Sequence, residues 1–160
     1  MPRQKDLFPK TVYCIDASSL INLKPYRRDI FPTIWDNLEK MVKNGELISH
    51  LEVYKELEVG QDAIYRWCKS NKRMFKDMDE CQIQKLQEVK NQYDKTYWEN
   101  EITKTTSWAD PWIIALSICE EVIIVTDEKN TQNKIPFIAV KFGIKCLELL
   151  DFLKEIGVKY

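Results

Sequence analysis

Two short apolar runs, residues 11–16 (TVYCID) and residues 122–127 (VIIVTD), constrain this chain more than any other feature: both are rich in β-formers, and both end in an aspartate. Apolar runs without polar alternation belong to strands buried on both faces. Between them the hydrophobic period changes to three and four. Ile30, Phe31, Ile34, Trp35, Leu38, Met41 and Val42 mark one helical face, with Asp29 placed to cap it, Pro32 in its first turn and Gly45 past its end. Residues 46–50 (ELISH) read as a second strand. Residues 51–58 and 62–69 read as helices separated at Gly60, and 69–79 as a loop. Residues 80–97 read as one long polar helix with a narrow stripe of Ile83, Leu86, Val89 and Tyr93, and 100–107 as irregular. In a helix over 107–120, Ser107 and Asp110 stand at capping-box spacing and Pro111 in an early turn. A helix over 135–142 stopped by Gly143, a strand over 144–149 and a helix over 150–156 complete the chain. Strands alternating with helices predict an α/β fold, its mostly parallel central sheet covered on both faces, in one domain over 1–160.

Composition narrows the function classes. The 160 residues are 44% hydrophobic and 31% charged, the balance of an ordinary globular protein with one core. No apolar run approaches the length of a membrane span, and the opening MPRQKDLFPK lacks the apolar stretch of a signal peptide, so a cytoplasmic location is expected. Five scattered cysteines without C-x-x-C spacing argue for reduced thiols, against a disulfide framework or a zinc ribbon. One histidine, His50, leaves no room for a histidine cluster, and a net charge of -1 is unlike that of a protein that coats nucleic acid.

The acids carry the chemistry. Right-handed crossovers put the carboxyl ends of parallel strands at one edge, so Asp16 and Asp127 are expected together, in the crevice where open sheets place ligands. Asp110, opening the helix that leads into the second run, and Glu56, on the helix after ELISH, are expected to join them. Converging carboxylates disfavour one another's ionisation unless a cation offsets them. Hard oxygen donors around an open position suit Mg2+ or Mn2+, which activate water toward a phosphodiester. Each acid also has a plain structural role open to it: Asp16 and Asp127 as turn or cap residues, Asp110 as a helix-start residue, and Glu56 as a solvated helix charge with Glu52 as its rival.

The ordered set YCIDASSLI, VYKEL, SWADPWIIALS and VIIVTDE resembles the PIN-domain nucleases, metal-dependent ribonucleases that include many toxins of toxin–antitoxin pairs. More narrowly, FPTIWDNLEKMVKNGELIS, VYKELEVGQDAIYRW, ADPWIIALS and NKIPFIAVKFGIKCLEL resemble a PIN-like branch known as a domain of unknown function. The resemblance covers residues 12–153. It implies a three-layer α/β/α sandwich with strand order 3-2-1-4-5, for whose third strand residues 100–107 offer no signal. It implies catalytic and metal-binding roles for Asp16, Glu56, Asp110 and Asp127, with Ser18 and Thr126 in support and Mg2+ or Mn2+ as cofactor. It also implies an RNA substrate, an antitoxin partner and a homodimer. Two stretches depart from the family pattern, His50-Leu51 and Pro136-Phe137-Ile138, and neither touches an acid.

Other features weigh less. Trp35, Trp67 and Trp112 sit at core spacing, whereas Trp98 and Trp108 are open to base contacts. Asp77, Asp79 and Glu80 offset the cluster of Lys69, Lys72, Arg73 and Lys76, leaving Lys129 and Lys134 as the expected phosphate contacts. His50 fits a cap or core role. A phosphatase with Asp16 as nucleophile lacks its second acid, because that position is Ser18. A non-catalytic RNA- or protein-binding module on the same scaffold is the alternative function.

Overall fold

A computed structural model of the chain describes residues 10–158; residues 1–9, which hold most of the stretch read for a targeting signal, lie outside them. The elements in chain order are β1 (Tyr13–Ile15), α1 (Ala17–Ile21), α2 (Pro32–Lys43), β2 (Leu47–His50), α3 (Leu51–Glu58), α4 (Ala63–Ser70), β3 (Phe75–Lys76), α5 (Glu80–Lys90), α6 (Lys95–Ile102), α7 (Asp110–Glu120), β4 (Ile123–Val125), α8 (Ile135–Ala139), β5 (Cys146–Leu147) and α9 (Leu149–Glu155). The five strands pair in parallel throughout in the order β3-β2-β1-β4-β5, the PIN-like order, with helices flanking the sheet.

The apolar runs end up where their composition sends them. Cys14, Ile15, Leu47, Ile124 and Val125 are fully buried in the middle of the sheet. The three-and-four spacing of α2 buries Ile34, Trp35, Leu38 and Val42. Helix α7 is apolar nearly all round and buries Ile113, Ile114, Ala115 and Leu116 while packing against β2 and β4. None of the described helices is long and apolar enough to cross a membrane.

Several local expectations are corrected. The third strand is Phe75–Lys76, inside the stretch read as a loop, and it pairs with Ser49 and His50. Two residues are too few to show a period of two, so only the neighbouring strand reveals them. The long helix over 80–97 breaks after Lys90, and Asp94 starts α6 by accepting a hydrogen bond from Tyr97 N at 2.9 Å. A short acid that bonds backbone amides competes with helix continuation, which the apolar stripe did not register. Ser107 is not the cap of α7; the cap residue is Ala109, whose amide donates to Glu56 Oε1 at 2.7 Å. Asp29 pairs with Arg27 and does not cap α2, which starts after Phe31. The short helix α1 directly after β1 had no periodic signal.

The expectation of reduced thiols fails for one pair. Cys81 and Cys119 form a disulfide, while Cys14, Cys68 and Cys146 are free. The two cysteines are 38 residues apart, and only the packing of α5 along α7 brings their Cα atoms to 6.2 Å. Closing a loop of that length stabilises a protein by about 2–4 kcal/mol. Cys81→Ser is therefore expected to lower the unfolding free energy by about 2–4 kcal/mol in urea under oxidising conditions. Excess reductant should erase the difference between variant and wild type, and equal midpoints before reduction would show that the bridge adds nothing.

Candidate metal centre

The site grows from the ends of two neighbouring strands. Asp16 follows β1 and, by donating its amide to Val125 O at 2.8 Å, extends the ladder with β4. The residue is only 2% exposed. Asp16 Oδ2 accepts from Ser18 Oγ at 2.9 Å and from Thr126 Oγ1 at 3.1 Å, so both expected supporting residues hold the first acid. Asp110 opens α7 and is also buried, at 8% exposure, where the helix N-terminus favours negative charge. Among the described residues, carboxylate oxygens of Asp16, Asp110 and Glu128 lie within 4.8 Å of one another.

Glu128 stands where the sequence reading put Asp127. Beyond the end of β4, Thr126 Oγ1 accepts from Glu128 N at 3.2 Å while donating to Asp16, which leaves Glu128 beside Asp16. Asp127 is engaged instead by Asn22 Nδ2 at 2.5 Å and by Leu149 N at 2.7 Å, at the start of α9. The signal that would have found Glu128 was in the sequence: it lies two residues after Thr126, and the resemblance drew attention to the residue between.

Glu56 reaches the same edge from α3 without joining the group of three. Its Oε1 is held by Ala109 N, next to Asp110, and the charges of Asp16 and Glu128 act on it. His50 is fully buried and structural. Its Nδ1 accepts from Glu52 N at 3.0 Å, capping α3, which leaves Nε2 to donate to Gln82 Oε1 at 2.8 Å. Lys129 is exposed, whereas Lys134 is half-buried with its Nζ 6.0 Å from the centre of the Tyr97 ring. Burial works to lower the pKa of the Lys134 ammonium, but Tyr97, Glu128 and Asp110 raise it on balance.

The electrostatics show what the group lacks. Burial first, and the Glu128 charge second, push the Asp16 carboxyl up to about 6 against the opposing hydrogen bonds from Ser18, Ala17 and Thr126. Burial likewise pushes Glu56 up to about 7. Asp110 rises well above the usual carboxylate range through burial first and the nearby Asp16 and Glu128 carboxylates next. Among the described residues, no Lys or Arg nitrogen comes within 4.0 Å of Asp16, Glu56, Asp110 or Glu128. Hard oxygen donors, buried and without a paired cation, fit Mg2+ or Mn2+.

Comparison with known proteins agrees with this fold. Residues 13–160 match the family described as a domain of unknown function, DUF4411. No curated protein matches the sequence. The chain is similar to the crystal structure of PAE2754 from Pyrobaculum aerophilum, with 14% identity and a TM-score of 0.52 over 94% of this chain and 100% of that one. It is also similar to VapBC2 from Rickettsia felis bound to a DNA fragment from their promoter, with 14% identity and a TM-score of 0.48 over 86% and 98%. At such identity the likeness to PAE2754 is one of fold.

The raised carboxyl pKa values fix the sign of a pH effect. Folding that raises an acid's pKa adds stability below the unfolded value, near 3.8 for Asp, and loses it as pH rises through the folded one. His50 acts oppositely, because burial lowers its pKa, so the comparison has to be with a variant. In metal-free buffer Asp110→Asn should melt above wild type at pH 7.5, and the gap should shrink toward pH 5. Saturating Mn2+ should raise the wild-type melting temperature more than the variant's. A gap independent of pH, or equal response to Mn2+, would mean that the acids do not interact.

Proposed function

Since this chain belongs to the DUF4411 family and folds in the PIN-like manner, we propose that it is a single-domain, divalent-metal-dependent endoribonuclease acting on single-stranded RNA in the cytoplasm. The observation that carries the proposal is the group of buried Asp16 and Asp110 with half-buried Glu128 at the carboxyl edge of the sheet, with no paired cation among the described residues. A role as the toxin of a toxin–antitoxin pair, with an antitoxin partner and a homodimer, is proposed on the family resemblance.

Asp16, Asp110 and Glu128 would hold Mg2+ or Mn2+, which when bound supplies Lewis acidity at a phosphodiester and lowers the pKa of an attacking water. Ser18 and Thr126 orient Asp16 by their hydrogen bonds to Oδ2. Glu56, fixed through Oε1, is placed at the edge of the group with its carboxyl pushed up to about 7, suited to accept a proton near neutral pH. Asp127 positions the chain segment that carries Glu128 by tying it to α9 and to Asn22. Lys134, and Lys129 farther out, provide positive charge for the phosphates.

Cleavage of a fluorescent single-stranded RNA in Mn2+, Mg2+ and EDTA tests the reading. Wild type should cut only with metal, and Asp16→Asn, Asp110→Asn and Glu128→Gln should each lose more than about 100-fold. Asp127→Asn should retain most of the rate if its role is positional. Full activity in Asp16→Asn would overturn the nuclease, and folded wild type that binds RNA without cutting it or taking up Mn2+ would establish a binding module.

A further inference from the structure

Beside the carboxylates lies a group of rings that the proposed reaction does not use. Tyr93, Tyr97, Trp98 and Trp108 contact one another with centroids 5.1–6.2 Å apart. Tyr93 and Trp98 are buried and back the cluster, while Tyr97 and Trp108 stay partly exposed. Trp108 comes two residues before Asp110. Tyr97 is brought alongside by the segment that follows Glu128: Asn133 Oδ1 accepts from Asp94 N at 2.8 Å, at the start of α6. Lys134, the next residue, has its Nζ 6.0 Å from the centre of the Tyr97 ring and feels the charges of Glu128 and Asp110. The Tyr93 hydroxyl is buried without a hydrogen-bond partner among the described residues, and the charges acting on it come from Asp110, Glu128 and Asp16.

The available positive charge points the same way. A cleft of about 250 Å³ borders Tyr93 and Trp98, with Lys90, Lys95 and Glu99 in its lining and Lys90 5.8 Å from the Trp98 ring. Among the described residues, Lys90, Lys95 and Lys134 enter no ion pair with a carboxylate. By contrast, a larger cleft of about 540 Å³ over Trp35, Ile64 and Trp67 has its rim cations committed: Lys24 to Asp62, Arg27 to Asp29, and Arg28 to Asp36 and Glu39. Phosphates need cations not already neutralised, and aromatic faces bind bases that are out of a duplex stack.

We infer that Tyr97 and Trp108 form a stacking platform for an unpaired nucleobase next to the carboxylate group, with Lys134 binding the phosphate of the same nucleotide. The inference rests on the nuclease reading and names how its substrate is held. Stacking is indifferent to base identity but needs a base, so the platform selects single strands over duplexes and intact nucleotides over abasic ones.

The test measures binding and Mn2+-dependent cleavage of a labelled oligoadenylate and of an equal-length strand abasic around the scissile bond. The proteins are full-length wild type, Tyr97→Leu, Tyr97→Phe and Trp108→Leu, each checked for folding by its thermal melt. Wild type should bind the intact strand about ten- to hundredfold more tightly than the abasic one. Tyr97→Leu should lose that preference, raising KM while the rate at saturating RNA changes less than about twofold. Tyr97→Phe, which keeps the ring, should restore it, and Trp108→Leu serves if Tyr97→Leu does not fold. Cleavage by wild type with no preference for the intact strand, or a preference untouched in the folded Leu variants, would overturn the platform and leave the nuclease standing. Base-dependent binding without cleavage would overturn the nuclease and keep the platform, and no binding at all would overturn both.

Discussion

Parallel pairing of β1 with β4 is the constraint on which the rest depends. It runs the two most apolar segments side by side through the core and delivers their polar ends to one edge. The hydrogen bond from Asp16 N to Val125 O continues the ladder by one residue, so Asp16 enters the site in strand register and Thr126 meets it across the gap. Burying a carboxylate there is unfavourable, and two hydroxyls and a backbone amide only partly offset the cost. The remaining charge is what gives the site its chemistry: two buried acids and a half-buried one at close range repel one another until a proton or a divalent cation joins them.

Long-range polar contacts lock the other elements to that edge. Glu56 on α3 holds the amide that starts α7, which sets Asp110 against Asp16 and does so across 53 positions of sequence. His50 ends β2, caps α3 and reaches Gln82 on α5 through one imidazole ring, also stacked on Trp112. Gln82 Nε2 in turn donates to Asp77 O, so the start of α5 is anchored from inside. The Cys81–Cys119 bridge ties α5 to α7 farther along. The contacts of Glu56, of His50 with α3 and Trp112, and of Cys119 each have one end on α3 or α7, the helices that carry Glu56 and Asp110.

Much of this was legible before folding was considered. The buried strands of TVYCID and VIIVTD, the apolar face of α2, and the arrival of Asp16 and Asp110 at the sheet edge follow from composition, period and the geometry of parallel sheets, while the supporting places of Ser18 and Thr126 follow from the family resemblance. Where the reading failed, the signal was short or nonlocal. Phe75–Lys76 is a strand only because Ser49 and His50 pair with it, and the partners of Cys81 and Ala109 lie 38 and 53 positions away. Glu128 lies three residues past the end of β4, where strand period no longer applies and a local bond between Glu128 N and Thr126 Oγ1 sets which side the acid takes.

The amino-acid sequence by itself determined which segments are buried and which acids arrive at the sheet edge, because hydrophobic period and strand polarity are local properties of the chain. Only the tertiary structure decided that Glu128 and not Asp127 faces Asp16, that Glu56 starts a distant helix, and that Tyr97, Trp108 and Lys134 line up beside the carboxylates. Those outcomes depend on which side of a backbone a residue leaves and on what another segment places there, and neither is written in the order of the residues alone.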